Sequence, residues 1–358
     1  MFACSSLTPK RQYFFLSDFY HWGGTVTFTV HLLNSIGRKQ IVRIGNVPKG
    51  DKITGNFGYD IDYQIVSSDF IDKVHKPFIT DFFKYYHVLH KLKRNDITIV
   101  IHDPTEISEE TAPYLKYWNV ICIRKTFQEY LKNNYNVYSK FLYHPFYPYS
   151  TKNNNDGGSL AEYGNGHIEE HDREIEVEKT NAVSISRVEY GKNTEIIMDA
   201  NKLLKKEEKD HPHHYDFTIK IHGPFNPKYV SHKLGGEQNF RQYYRGTFAK
   251  SFGAVSAILN KAKFVVDLST IHNDGGGTQY TFLEAIHHGA ALIINREWIG
   301  NVAAKYCDFK EGYNCYAISN AQELANIIKN SKKIDTDRIV NNSKKLMDRH
   351  VNADWSSV

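Results

Sequence analysis

Cysteine is scarce, long apolar runs are missing and neither sign of charge dominates; each shortage removes a class of protein. The four cysteines, Cys4, Cys122, Cys307 and Cys315, lack CxxC spacing, so the chain contains neither a zinc ribbon nor a disulfide framework in readable form. A reduced, cytoplasmic protein is the expectation. No stretch approaches the roughly 20 apolar residues of a membrane-spanning helix. The N-terminus, MFACSSLTPKRQYFF, has no apolar segment preceded by basic charge, as a secretion signal would. The 45 Lys and Arg exceed the 40 Asp and Glu by only 5, but the excess is local: the first 50 residues carry six Lys or Arg against one acidic residue, and FFKYYHVLHKLKR is a basic aromatic stretch. Such faces meet lipid phosphates, anionic glycans or DNA, or are simply solvated. What the chain has in quantity is aromatic, 24 Tyr and 21 Phe, which serve cores and also stack on sugars or bases.

A chain of 358 residues is too long for one small core and suits two α/β domains. Strand-like runs alternate with helical patterns throughout, the signature of parallel sheets with crossover helices. In the first half QYFFLS, QIVRIG, DYQIVS, ITIVIH, NVICIR and SKFLYH read as strands, and the HWGGTV turn leads into a helix through FTVHLLNSIG. Apolar periodicity then fails from Tyr149 to Lys179, so 149–179 reads as a linker or mobile excursion. Beyond it AVSISR, FTIKIHG, FVVDLS, ALIIN and NCYAIS are strands, separated by helices near 193–207, 253–262, 278–288 and 320–330. The expected architecture is two Rossmann-like domains facing a cleft, over 1–148 and 180–336, with a C-terminal helix at about 337–358 packing back on the first.

Two segments carry chemistry. From Asp274 to Gly289 the chain reads DGGGTQYTFLEAIHHG. Consecutive glycines (Gly275, Gly276, Gly277) let backbone approach a bulky anion; Thr278, Gln279 and Tyr280 open a helix whose N–H groups suit phosphate; Glu284, about two turns on, suits a ribose diol. A glycine-rich turn alone has a purely steric reading as well. The second segment, NAVSISRVEYGKNTEIIMDANKLL from Asn181 to Leu204, places Arg187 and Lys192 between a strand and a helix. A planar fork and a point charge there are what a departing diphosphate needs, although either residue alone is ordinary surface charge.

At these residues the chain resembles the retaining glycosyltransferases of the GT-B fold, in particular the family 4 type. That family has an Arg and a Lys five positions apart after the first strand of its nucleotide-binding domain, matched by SRVEYGKN, and a Glu on the helix after a Gly-rich turn, matched by Glu284. The resemblance implies transfer of a sugar from a nucleoside-diphosphate sugar, the co-substrate, to an acceptor hydroxyl, with retention of configuration and without metal or other cofactor. It further implies that Arg187 and Lys192 stabilise the diphosphate and that Glu284 holds the ribose. A second Glu common in the family, eight positions before the first, is here Gly276, with Asp274 the nearest carboxylate. The acceptor implied is a glycan, a lipid-linked glycan or a protein, with peripheral membrane contact through the basic first domain. A modified base in DNA is the alternative acceptor; a non-catalytic sugar-nucleotide-binding module or partner subunit is the alternative of another class, and an epimerase a third.

Ligands of open parallel sheets bind beyond the carboxyl ends of strands. There the first half offers Gly23 and Gly24, for close approach to the diphosphate or acceptor, and His102 with Asp103, for hydrogen bonds to the transferred sugar or the acceptor; a plain turn at Asp103-Pro104 is the competing reading. In the second half the resemblance implies that His222 and Gly223 before Pro224, and Gly246 and Phe248 in YYRGTF, border the base pocket; a turn of the composition HGP is equally expected with no ligand. The DID at 60–62 has the spelling of a metal-binding DxD but is too short to carry that reading, and the histidines of HPHHY and at 287 and 288 are not read as metal ligands.

Overall fold

The computed structural model describes residues 12–17, 23–92, 94–151, 181–208, 217–271 and 278–358. Thirteen strands form two sheets among the described residues. The first contains β1 (Phe14–Phe15), β2 (Gln40–Ile44), β3 (Lys52–Gly58), β4 (Ile61–Val66), β5 (Phe78–Ile79), β6 (Thr98–Ile101), β7 (Asn119–Cys122) and β8 (Lys140–Phe141), in the order β3-β4-β2-β1-β5-β6-β7-β8. Its pairings are parallel except for β3 with β4. The second contains β9 (Asn181–Ser184), β10 (Lys220–Ile221), β11 (Ala262–Asp267), β12 (Ala291–Asn295) and β13 (Tyr316–Ile318), all parallel, in the order β10-β9-β11-β12-β13.

The apolar runs explain the layering. The four residues of β6, TIVI, are all buried, as helix-covered parallel strands require. Successive side chains alternate between faces, so Ile99 and Ile101 enter one core while Val100 enters the other. In the second sheet Phe264 and Val266 likewise face one core and Val265 the other. Two helices of the second half start on side-chain caps: Ser251 accepts from Ala254 N–H at 3.2 Å, and Asn320 from Glu323 N–H at 2.9 Å.

β3 has no counterpart among the sequence-derived strands. It pairs with β4 through a hairpin whose turn residues Tyr59 and Asp60 lie at φ 53° and 58°, a left-handed pair that Asn-Gly normally supplies. The hairpin also touches the second sheet's side of the molecule: Tyr59 N–H donates to the Lys250 carbonyl at 3.0 Å.

The helix Thr336–Val351 runs back towards the first sheet. Its His350 carbonyl accepts from Phe146 N–H at 3.3 Å, and beyond it the Trp355 indole donates to the Tyr143 carbonyl at 2.9 Å and packs edge-on to Phe28. Of the sequence-derived linker, 152–179 lies outside the described residues, as does HPHHY. No helix among the described residues is long and apolar enough to cross a membrane.

Candidate active site

The carboxyl ends of β6 and β7 face those of β9, β10 and β11 across a cavity of about 490 Å3, within the range of small-ligand sites. It is lined from the first sheet's side by Gly23, Gly24, His102, Asp103, Arg124 and His144, and from the second by Arg187, Lys192, Gly223, Pro224 and Phe248, with Thr278, Gln279 and Tyr280 at the start of the helix Tyr280–His287.

On the second sheet's wall, the β9 loop is fastened by its own backbone. Gly191 at φ 81° and Asn193 at φ 49° turn the chain sharply; the Gly191 carbonyl accepts from Thr270 N–H at 2.8 Å, and the Asn193 amide donates to the Leu268 carbonyl at 2.9 Å. Lys192 is thereby set beside β11, where its ammonium donates to Ser269 Oγ at 2.7 Å. The Ser269 hydroxyl donates in turn to Asp267 Oδ1, which also accepts from Ser269 N–H at 3.0 Å. Asp267 is 1% exposed, and its Oδ2 meets no hydrogen-bond partner among the described residues. A buried carboxylate therefore stands two hydrogen bonds behind the lysine, with opposite charge holding the chain of donors in one direction. Arg187 is half exposed and pairs with Glu189 at 3.0 Å within the same loop, a contact weak enough for a multiply charged anion to displace. Gly223 closes this wall at φ 130°: a Cβ there would stand 2.3 Å from the Ser186 carbonyl oxygen, so only glycine allows the β10 loop to lie against the Arg187 loop.

On the first sheet's wall, Gly23 and Gly24 open the helix Gly24–Ser35 and line the cavity, and no side-chain cap is present at its start among the described residues. His102 Nε2–H donates to the Thr80 carbonyl at 2.8 Å. Burial pushes its pKa down to about 4, so the ring is neutral at pH 7 with Nδ1 as an acceptor. Asp103 both turns the chain and lines the cavity, its Oδ1 accepting from Thr105 N–H at 2.9 Å. Burial, then the neighbouring Asp103 charge, pushes the Glu106 carboxyl well above the usual range. Arg124, His144, Glu106 and Ser269 were not singled out from sequence; the available signal was a polar side chain directly after an apolar strand, as in NVICIR and FVVDLS.

Several expected site residues stand elsewhere. Glu284 does not line the cavity. It is 6% exposed on the face of its helix turned to the helix Gly24–Ser35, where His31 Nε2–H donates to Oε1 at 3.2 Å and the Tyr149 hydroxyl donates to Oε2. Tyr147 N–H donates to His31 Nδ1 at 3.1 Å and so fixes the imidazole proton on Nε2. Burial pushes the Glu284 carboxyl up, but the His31 hydrogen bond leads a set of contacts that outweighs it and holds the group below its ordinary value. Both oxygens thus serve the junction between the two halves, where His31 is sandwiched by Phe146 and Tyr280 at 4.6 and 4.9 Å. His222 and Gly246 lie behind the wall: the Gly246 carbonyl accepts from Gly223 N–H at 3.0 Å, and neither residue reaches the cavity. Asp274, Gly275, Gly276 and Gly277 lie outside the described residues. Asp60 sits in the β3–β4 turn, Asp62 in β4, and neither lines the cavity. His287 and His288 diverge, the first to the Tyr149 carbonyl and the second to Ser256. Among the described residues, no three His, Cys, Asp or Glu side chains gather as metal ligands do.

No family model and no curated protein matches the chain. Solved structures do. Anabaena Alr3699/HepE, in complex with UDP and glucose, superposes with a TM-score of 0.60 at 13% identity over 97% of this chain and 96% of that one. Trehalose-6-phosphate synthase OtsA gives 0.64 at 11% identity over 97% and 96%, and S. aureus TarM, in complex with Fondaparinux, alpha-GlcNAc-glycerol and UDP, gives 0.51 at 13% over 81% and 56%. Identities this low bear on architecture alone. Two facing α/β sheets with a cleft between their carboxyl edges are the GT-B glycosyltransferase fold.

Proposed function

We propose that this chain transfers a sugar from a nucleoside-diphosphate sugar to an acceptor hydroxyl, with retention of configuration and without a metal ion. The observation that carries the reading is the convergence of Arg187, Lys192 and the start of the helix Tyr280–His287 on one wall of the cleft. Two cations and a helix N-terminus neutralise a leaving diphosphate in place of a metal. HepE binds UDP-glucose in a structure of the same fold, which makes UDP-glucose the first donor to try. In the step proposed, the bond from the anomeric carbon to the diphosphate breaks as the acceptor oxygen bonds to the same face of that carbon. The acceptor proton passes to the departing phosphate oxygen. The protein's work is then placement and charge stabilisation, with neutral His102 accepting a hydrogen bond from a sugar hydroxyl through Nδ1. Ribose recognition is not assigned to Glu284, whose oxygens are engaged by His31 and Tyr149.

That engagement favours one second reading, a sugar-nucleotide-binding module without turnover. UDP release from UDP-glucose, measured with EDTA present, separates the two. Arg187→Ala and Lys192→Ala should each lower the rate about a hundredfold or more. Undiminished turnover in both variants refutes the site, and UDP binding without turnover favours the module.

A further inference from the structure

The β3–β4 hairpin belongs to the first sheet by its pairing, yet its turn is built against a loop of the second half. Gly58 stands at φ 98°, and a Cβ there would lie 2.5 Å from the Lys250 carbonyl oxygen, so only glycine lets the two backbones come this close. The next residue uses that approach: Tyr59 N–H donates to the same carbonyl at 3.0 Å. Side chains fasten the contact from both directions. The Tyr59 ring meets Phe252 edge-on at 4.9 Å, and the Lys250 ammonium lies 4.8 Å from the centre of the Phe57 ring. None of these residues lines the cavity.

The loop so braced is the one that carries Phe248. At its other end Arg245 N–H donates to the Ile221 carbonyl at 2.8 Å and the Gly246 carbonyl accepts from Gly223 N–H at 3.0 Å, which ties it to the second sheet. Phe248 lies midway between the two fastenings. With Ile185 and Pro224 it supplies apolar surface to the cavity wall that also carries Arg187 and Lys192. A nucleotide whose diphosphate lies on those cations needs such a surface for its base, whose π-face an aromatic ring covers well. The chain from Arg245 to Lys250 has neither helix nor strand, so the place of the ring depends on what holds the two ends. We propose that the β3–β4 hairpin is a positioning element of the donor site: by bracing the Lys250 carbonyl it holds Phe248 against the nucleobase. This rests on the sugar-transfer reading and deepens it, since base recognition then draws on both halves of the chain although only the second supplies the contact.

The test is calorimetric titration of UDP into the full chain, well below the thermal midpoint of each variant, so that affinity and stoichiometry are read separately. Phe248→Ala should weaken UDP about tenfold. Gly58→Ala drives a methyl group against the Lys250 carbonyl without touching the cavity, and should weaken UDP about fivefold or more at unchanged stoichiometry. Lys250→Met keeps the stem and the glycine but removes the charge over Phe57; it should weaken UDP about two- to fivefold, and it carries the test where Gly58→Ala does not fold. Either change combined with Phe248→Ala should bind no more weakly than Phe248→Ala alone, since the hairpin acts through that ring. A lower thermal midpoint or stoichiometry at unaltered affinity in the hairpin variants assigns the contact to the fold alone and overturns the inference, as does unaltered affinity in Phe248→Ala. Multiplicative losses in the double variants overturn it too, because the hairpin would then reach UDP by another route. A blank titration of the wild type overturns the sugar-transfer reading and the inference with it.

Discussion

Removing one hydroxyl tests whether Lys192 is an oriented group or simply a charge near the cleft. In Ser269→Ala the ammonium loses its 2.7 Å hydrogen bond and Asp267 Oδ1 loses the hydroxyl, keeping only the Ser269 backbone N–H at 3.0 Å. A hydrogen bond to a charged group contributes about 1.5–3 kcal/mol. If that contribution serves to hold the lysine where diphosphate charge develops, the rate of UDP-glucose turnover falls roughly 10- to 150-fold. The backbone should survive, because the loop's own fastenings are Gly191 with Thr270 and Asn193 with Leu268, neither of which uses the serine hydroxyl. The assay is kcat/KM for UDP release in Ser269→Ala, Lys192→Ala and the double variant. Oriented action predicts that the double variant is no slower than Lys192→Ala alone, since the hydroxyl acts through the lysine. Ser269→Thr, which restores an oxygen at the same carbon, should recover most of the loss. Turnover within twofold of wild type in Ser269→Ala, or multiplicative losses in the double variant, refutes the relay.

Two further expectations concern the junction and its histidines. Glu284→Ala strands His31 Nε2–H and the Tyr149 hydroxyl in a buried site, at a cost of about 2–5 kcal/mol; its thermal midpoint should fall while UDP affinity, titrated well below that midpoint, stays unchanged, and a large loss of UDP affinity at an unaltered midpoint would return Glu284 to the ribose. Stability should also decline on acidification: burial depresses His102 and His350 to about 4, below their unfolded value of about 6.5. The unfolded chain then binds protons that the folded chain refuses between those pH values, so stability present above pH 6.5 is lost progressively towards pH 4, by about 3 kcal/mol for each ring. Denaturant titrations at pH 7 and 4.5 measure the loss, which His350→Gln should make shallower; an unchanged pH slope in that variant refutes the assignment.

Much of the architecture was legible because each signal was local. AVSISR and FVVDLS are apolar on both faces and end in polar residues, and a strand of that kind can only be helix-covered, with its end at the ligand side. Arg187, Lys192, Gly23, Gly24 and Gly223 stood out because a cation or a glycine directly after such a strand has a restricted set of uses, and the structure brings all five to the cavity. The β3–β4 hairpin was not legible: its strand is largely exposed, and Tyr59-Asp60 adopts left-handed geometry without the residues that advertise it. Ser269 and Asp267 were hidden for a different reason. Their meaning lies in a bond to Lys192, 77 residues away from the serine, and no local pattern encodes it.

Glu284 shows where spacing ceases to be informative. The sequence places it about two turns beyond a glycine-rich segment on a helix, and the helix is there, with Phe282, Leu283, Ala285 and Ile286 buried beside it. The carboxylate's partner is His31, 253 residues distant, whose proton is directed by Tyr147 N–H and whose ring is clamped between Phe146 and Tyr280. Tyr280 belongs to both regions: its residue lines the cleft, its ring stacks on His31, and its hydroxyl donates to the Pro145 carbonyl at 3.0 Å. The junction and the donor wall are therefore joined within a single turn of helix. In this structure the carboxylate that sequence spacing assigns to the ribose bonds His31 and Tyr149 at that junction.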